Sequence, residues 1–562
     1  MSAPQRATMP SGAGVRRFGS PCWGFSVRAA FVPPHGHARG PVLDFESTGP
    51  RGPPTKETNM AESRAHLARN RLGVGAIVFL VLAAVAPMTV LVVVLPLAIA
   101  LGNGGGIPVA ILLVAAALLL FAIGYAQMTK ELTNAGGFYA IAVKGLGRVA
   151  GLITGIIATI GYNAFVAGAL GTIGFFAGMV VVPQITGGAV TLDWFWTGLA
   201  LFAVVFVLAV SGIHVSAVVL GVALVLEVVM VCTFSISVLV RTGFDPAVFT
   251  PQVITSGSLW IGLLLAATAF IGFEATALFG EEAKDPRRTI PRATYAAIIV
   301  IGLMHAIAAW AIVSALGVND AQSQAVEHME AGDLTLVIIG DYLGESGVII
   351  ALVLVVVSLF AAQLAFHNSA GRYLFSLGRA HVLPAWLART NAQGSPQRAL
   401  LANFIFAVLI AAIFRTVFPD VPSIATLVPV GLGFATLAIV IVQAIAALAV
   451  VAHFRARHDP RWWSTFIAPG LGFVALAVLS TMAVVNFGTV AGSDEPYVLV
   501  LPWILVVAVI GGILYGAHLR SRKPEVYEGL SEDLERFDEE LAESAAESGA
   551  VRDPADSEPG AS

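Results

Sequence analysis

The sequence predicts an all-α integral membrane protein of about twelve transmembrane helices, and three observations carry that reading. Of the 562 residues, 57% are hydrophobic and only 12% are charged, about half the charge of an ordinary soluble domain, and the mean hydropathy is +0.85. The apolar residues gather in continuous runs of helix length, and about 20 such residues at ~1.5 Å each are what a hydrocarbon core of ~30 Å requires. Barrel strands would instead alternate apolar and polar positions. Lys and Arg, finally, crowd alternate connections between the runs.

The predicted spans are 72–100, 107–127, 147–178, 194–211, 214–240, 257–281, 292–316, 347–377, 398–418, 425–452, 466–488 and 497–519. The boundary between the fourth and fifth rests on Ser211, Gly212, Ile213 and His214 alone. Fusing those spans would invert everything downstream, so the charges are a direct test. With both termini inside, twenty Lys and Arg residues from Arg64 to Lys523 fall on the inner side, and Arg241 and Arg415 alone on the outer. The longest outer connection, 317–346, is acidic through Asp320, Glu327, Glu330, Asp333, Asp341 and Glu345. Multi-pass insertion in the inner (cytoplasmic) membrane with both termini cytoplasmic is expected.

Residues 1–70, rich in Pro, Gly and Arg and without an apolar signal stretch, read as a disordered cytoplasmic tail, with Met60 a plausible true start. Residues 520–562 read as an acidic tail in which Leu530, Leu534, Phe537 and Leu541 recur at helical spacing, open between a short amphipathic helix and a solvated segment. Cys22 lies in the N-terminal tail and Cys232 inside a span, so no structural disulfide is expected.

Unwound backbone inside a bilayer is tolerated only where it is buried or lines a cavity. The first span carries Ala86, Pro87, Met88 and Thr89 at its middle, where proline removes a donor and clashes with the preceding turn. The sixth carries Ala269, Phe270, Ile271, Gly272, Phe273 and Glu274. Taken singly, Pro87 reads as a kink and Gly272 as a close-packing contact. Five spans apart, they match the pattern of two five-helix units of inverted topology, each opening on a broken helix that borders a binding site.

From Gly272 to Thr294 the chain reads GFEATALFGEEAKDPRRTIPRAT, which resembles the sixth-span signature of the amino acid-polyamine-organocation (APC) permeases. TNAGGFYA from Thr133, GIHVSA from Gly212 and RYLFSLGRAHVLP from Arg372 add to the likeness, which covers about residues 70 to 520. The resemblance implies a five-plus-five inverted repeat like that of the bacterial leucine transporter, with repeats at 71–240 and 257–453, two additional helices over 466–519, and alternating access around a central substrate. Where the family commonly has a Gly-x-Gly turn, this chain has Ala86-Pro87-Met88-Thr89.

A half-helix starting after the first break would offer N–H groups and a positive dipole end to a substrate carboxylate, a role assigned to Pro87, Met88 and Thr89. Carbonyls at Ala269, Phe270 and Ile271 would receive the ammonium, and Phe273 would close over it. Tyr162 and Asn163 are expected either as polar contacts from the third span or as interhelical hydrogen-bonding groups, and Glu274 either at the substrate or at the unwound turn. Glu227 stands eleven residues after Ser216, where the resemblance often places a lysine near the first and eighth spans. A charge at mid-bilayer is costly, so Glu227 is expected to take up and release a coupling proton, the alternative being a hydrogen bond between helices. Glu281, Glu282, Lys284, Arg287 and Arg288 are expected to form an inner-gate ion-pair network, whereas His305 and His367 read as satisfied core residues.

No HExxH, GxSxG, GxxxxGKS or metal-spaced Cys/His cluster occurs, so neither catalysis nor a nucleotide-driven pump is expected. No cofactor, metal or nucleic acid is anticipated. Expected partners are a small amino acid or amine substrate, a coupling ion (the proton) and membrane lipid. The function implied is a proton-coupled amino acid permease; polyamine or amino-alcohol transport, exchange, a channel and a nutrient sensor are the alternatives.

Overall fold

The computed structural model describes residues 72–132, 136–280, 282–329 and 332–530. Both predicted tails, apart from the stretch ending at Leu530, and Glu281 lie outside the described residues. Among the described residues, eleven helices are long and apolar enough to cross a membrane: Val74–Leu101, Gly104–Met128, Arg148–Ile185, His214–Thr242, Leu259–Thr276, Pro286–Leu316, Leu334–Arg379, Gln397–Val417, Pro429–Ala456, Trp463–Val485 and Pro496–Arg522. A twelfth predicted element, Trp194–Val210, is apolar but has 17 residues, or ~25 Å of helix, the short end of what a bilayer accepts. Counting it as the fourth, the chain is an all-α, multi-pass membrane protein.

A boundary separates spans four and five, between Val210 and Ile213. Gly212 adopts φ 112° and ψ 154° between Val210 and Ile213, a backbone region that glycine occupies almost alone, and the Ser211 hydroxyl donates to the Val207 carbonyl to finish the preceding helix. The connection 317–346, by contrast, is more ordered than its acidic composition suggests. It holds a short helix, Ala321–Glu327, and a second helical stretch from Leu334 that turns sharply at Gly344 before span eight proper begins. A further helix, Gly137–Leu146, occupies the connection between spans two and three.

Packing sorts the spans into centre and rim. In span ten 78% of the most apolar stretch is buried, against 22% in spans nine and twelve, so span ten is central while the other two face lipid. Val240, Val485, Trp503 and Val507 lie among the exposed apolar side chains that such a belt requires. At the basic end, Glu131 gathers His453 at 3.0 Å and Arg457 at 3.1 Å, tying the loops after spans two and ten together. At the far end Arg415 pairs with Asp193 at 3.0 Å, and Gln322 donates to the carbonyls of Ala100 and Gly102.

Replacing Gly212 by Ala should cost about 1–3 kcal/mol, the strain of a side chain at that backbone position. A lowered midpoint of thermal unfolding in detergent, with unchanged helix content by circular dichroism, would register it.

Candidate functional site

The first span does break where the proline predicts. Val74–Val85 ends on Ala86, which adopts the left-handed conformation at φ 57° and ψ 68°, and Pro87 opens a new turn, where its missing N–H costs nothing. Regular winding would send the N–H groups of Met88 and Thr89 back to the carbonyls of Ala84 and Val85. They turn elsewhere: Met88 donates to Glu227 Oε2 at 3.2 Å and Thr89 to Ser358 Oγ at 3.4 Å. Ser358 in turn donates to the same Glu227 oxygen at 2.6 Å. The carboxylate therefore caps the positive end of the half-helix, as a carboxylate at a helix N-terminus should, and bridges spans one, five and eight. Glu227 Oε1 and Thr89 Oγ1 are buried with no hydrogen-bond partner among the described residues.

The sixth span breaks after Thr268. Gly272 has φ 117°, and a β-carbon there would stand 2.9 Å from that of Ala84, so the two breaks touch where only glycine leaves room. A tight helical turn over Phe273–Phe279 follows. Glu274 stitches the gap: Oε2 accepts from the Gly272 N–H at 2.8 Å and from Gln443 at 3.4 Å, and Oε1 accepts from the Tyr162 hydroxyl at 3.0 Å. Glu274 is thus fixed to the unwound turn and to spans three and ten.

Between the breaks lies a cavity of about 250 Å³, bounded at its closed end by Ala84–Ala86, Thr89, Thr268 and Ile271 and extending past Val94 and Leu97 toward Thr489–Gly492 at the far end. Its walls are apolar apart from threonines, and no ionisable side chain lines it. Toward the basic end the structure is shut. Arg372 forms a bidentate pair with Glu282, through Nε at 2.9 Å and Nη2 at 2.6 and 2.8 Å, with both side chains 2% exposed. Phe279 lies under the guanidinium. Beside it the segment Glu282–Lys284 hydrogen-bonds both main-chain groups of Leu72, which ties the start of span one to the end of span six.

Of the predicted substrate residues, Ala86, Thr89 and Ile271 line the cavity. Pro87 and Met88 sit behind them in the same turn, while Ala269, Phe270 and Phe273 are packed inside, Phe273 edge-on to Phe121. Tyr162 is turned to Glu274 and Asn163 to Asn403, so span three presents Phe165, Ala169 and Thr172 to the cavity instead. Thr89, Val93 and Leu97 continue the first span's cavity face at helical spacing, a periodicity legible in the sequence. Of the gate residues, Glu282 is buried with Arg372, and Lys284, Arg287 and Arg288 are exposed, Arg288 beside Asp285 at 3.6 Å. His367 is held by Asn403 through Nδ1, whereas neither ring nitrogen of His305 has a partner among the described residues.

The family model described as amino acid permease matches residues 72–510. The chain belongs to that family. Among curated relatives, it is 26% identical to the branched-chain amino acid permease BcaP of Lactococcus lactis over 316 residues, which is 53% of this chain and 66% of that protein. An uncharacterized transporter of Mycobacterium tuberculosis is 25% identical over 58% of this chain and 67% of its own length. An arginine/ornithine antiporter of Pseudomonas aeruginosa is 24% identical over 50% of this chain and 58% of its length. The aligned parts of the first and last fall short of two thirds of those relatives. This permease is accordingly a member of the APC superfamily.

Removing either member of the Glu282–Arg372 pair strands a buried charge, so Glu282→Leu or Arg372→Leu should each cost about 3–5 kcal/mol, and the double substitution less than either single one. Thermal unfolding of the three variants in detergent tests the order. Gly272→Ala, which combines a disfavoured φ with the contact to Ala84, should abolish substrate binding by equilibrium dialysis even in protein that remains helical.

Proposed function

We propose that this permease is a secondary active transporter of neutral amino acids with apolar side chains, working by alternating access and coupled to protons. The cavity between the two broken spans supports this reading above all. It is enclosed at the basic end, opens toward the far end and has no ionisable group on its walls. A second positive charge on the substrate would find no carboxylate there, because Glu227 and Glu274 are both engaged with backbone N–H groups, and an unpaired buried charge is expensive. That favours a substrate like the one named for the lactococcal relative over the cationic pair named for the antiporter, and over polyamines.

The same geometry supplies a coupling scheme. The carbonyls of Ala84 and Val85, left without their helical donors, face the ammonium of a bound zwitterion, and Thr89 faces its carboxylate. A proton on Glu227 weakens that oxygen as an acceptor at the start of the half-helix, so a substrate carboxylate at Thr89 replaces the charge that Glu227 gives up. Proton and zwitterion then bind together. With the basic loops cytoplasmic, as the positive-inside bias supports, the cavity belongs to an outward-facing arrangement, and the Glu282–Arg372 pair closes the inner side. The breaks in spans one and six support the five-plus-five repeat at 71–240 and 257–453.

Purified protein in liposomes, given labelled leucine, arginine or putrescine with and without an imposed pH gradient, tests both parts. Leucine should accumulate against its own gradient only when the pH gradient is present. Glu227→Gln should equilibrate leucine without accumulating it; retained accumulation would end the coupling scheme, and putrescine uptake equal to that of leucine would end the substrate assignment.

A further inference from the structure

A larger cavity, of about 460 Å³, lies apart from the substrate cavity at the far end of the bundle. The ends of spans five and seven meet the 321–343 helices there, and the lining includes Arg241, His328, Asp341 and Tyr342 together with Leu334 and Ile338. Among the described residues two arginines stand at this end, Arg241 and Arg415. Arg415 is neutralised by Asp193 at 3.0 Å, but Arg241 makes no ion pair among the described residues and lies 5.4 Å from the centre of the Tyr342 ring, stacked on its face. His328 is taken up by Asp333 at 2.8 Å. Asp341 has no partner among the described residues, although it borders the same cavity as Arg241. An unpaired guanidinium and an unpaired carboxylate thus face one concave space without closing on each other.

That arrangement has the polarity of a zwitterion reversed. A guanidinium takes a carboxylate or phosphate in bidentate fashion, a carboxylate takes an ammonium, and the apolar side of Leu334 and Ile338 takes what hangs between them. We propose that this cavity is a second binding site, for a compact zwitterion whose anionic group rests on Arg241 and whose ammonium rests on Asp341.

The site is wired to the first span. Thr335, next to Leu334 in the cavity wall, donates to the Leu91 carbonyl at 3.0 Å, two residues beyond Thr89. In the neighbouring helix Gln322 donates to Ala100 at 3.2 Å and to Gly102 at 3.1 Å. A ligand joining Arg241 of span five to Asp341 of the 334–343 stretch fixes that stretch against the bundle, and with it the outer half of span one. Two sources share this chemistry: a free amino acid, and the phosphoethanolamine headgroup of a bilayer lipid.

The test uses the full chain in nanodiscs of phosphatidylglycerol, which has no ammonium, and counts labelled leucine by equilibrium dialysis. The wild type should hold one more leucine per chain than either Arg241→Gln or Asp341→Asn. Leucine should also slow hydrogen exchange across 334–343 in the wild type and not in the variants. If phosphatidylethanolamine removes the extra leucine from the wild type, the headgroup is the physiological occupant; if the extra leucine persists, the free amino acid is. Equal counts and equal exchange for wild type and variants in phosphatidylglycerol overturn the proposal. The difference between wild type and variants is independent of whether the central cavity accepts leucine, because neither residue touches it, so failure of the central assignment leaves this comparison intact.

Discussion

A helix interrupted inside a membrane must find partners for the peptide groups it exposes, and two buried carboxylates answer that demand here. Glu227 caps the half-helix at Met88, with Ser358 completing the turn at Thr89. Glu274 holds the Gly272 N–H and is itself held by Tyr162 and Gln443. Without a water phase to satisfy these groups, each unpaired one would cost several kcal/mol. The breaks are therefore sustained by side chains from spans three, five, eight and ten, and those spans act as the frame against which the interrupted pair is set.

Much of this was legible in the sequence because the bilayer imposes strong rules. Apolar run length located the spans, charge asymmetry checked their number, and Pro87 and Gly272 marked the interruptions, since a lost donor and a positive φ are properties of single residues. Which side chain faces the cavity was less legible. Tyr162 and Phe165 sit less than one helical turn apart, and nothing local distinguishes the one that turns to Glu274 from the one that turns to the cavity. Long-range pairing was harder still. Glu282 finds Arg372, 90 residues away, rather than the basic residues beside it, because the nearby cations stand in solvent while the distant one is buried where a charge must be matched.

The acidic connection before span eight shows a different limit. Its composition resembles a solvated loop, yet it folds into helices that hydrogen-bond to Leu91, Ala100 and Gly102 of the first span. Those acceptors are main-chain carbonyls, which carry no residue signature, so no pattern in the sequence announces the contact. Structure near the far end therefore depends on backbone groups released by local irregularities of span one, including the wide turn at Val90–Val94.

The threonine-dotted, otherwise greasy chamber between the two interrupted helices has a kinetic consequence. On the proposed reading, a dipolar guest meets peptide dipoles there in place of full counter-charges, and its hydration is only partly replaced. Such a hold is modest by design: a shuttle that must let go of its passenger on every cycle gains more from a shallow energy well than from a deep one.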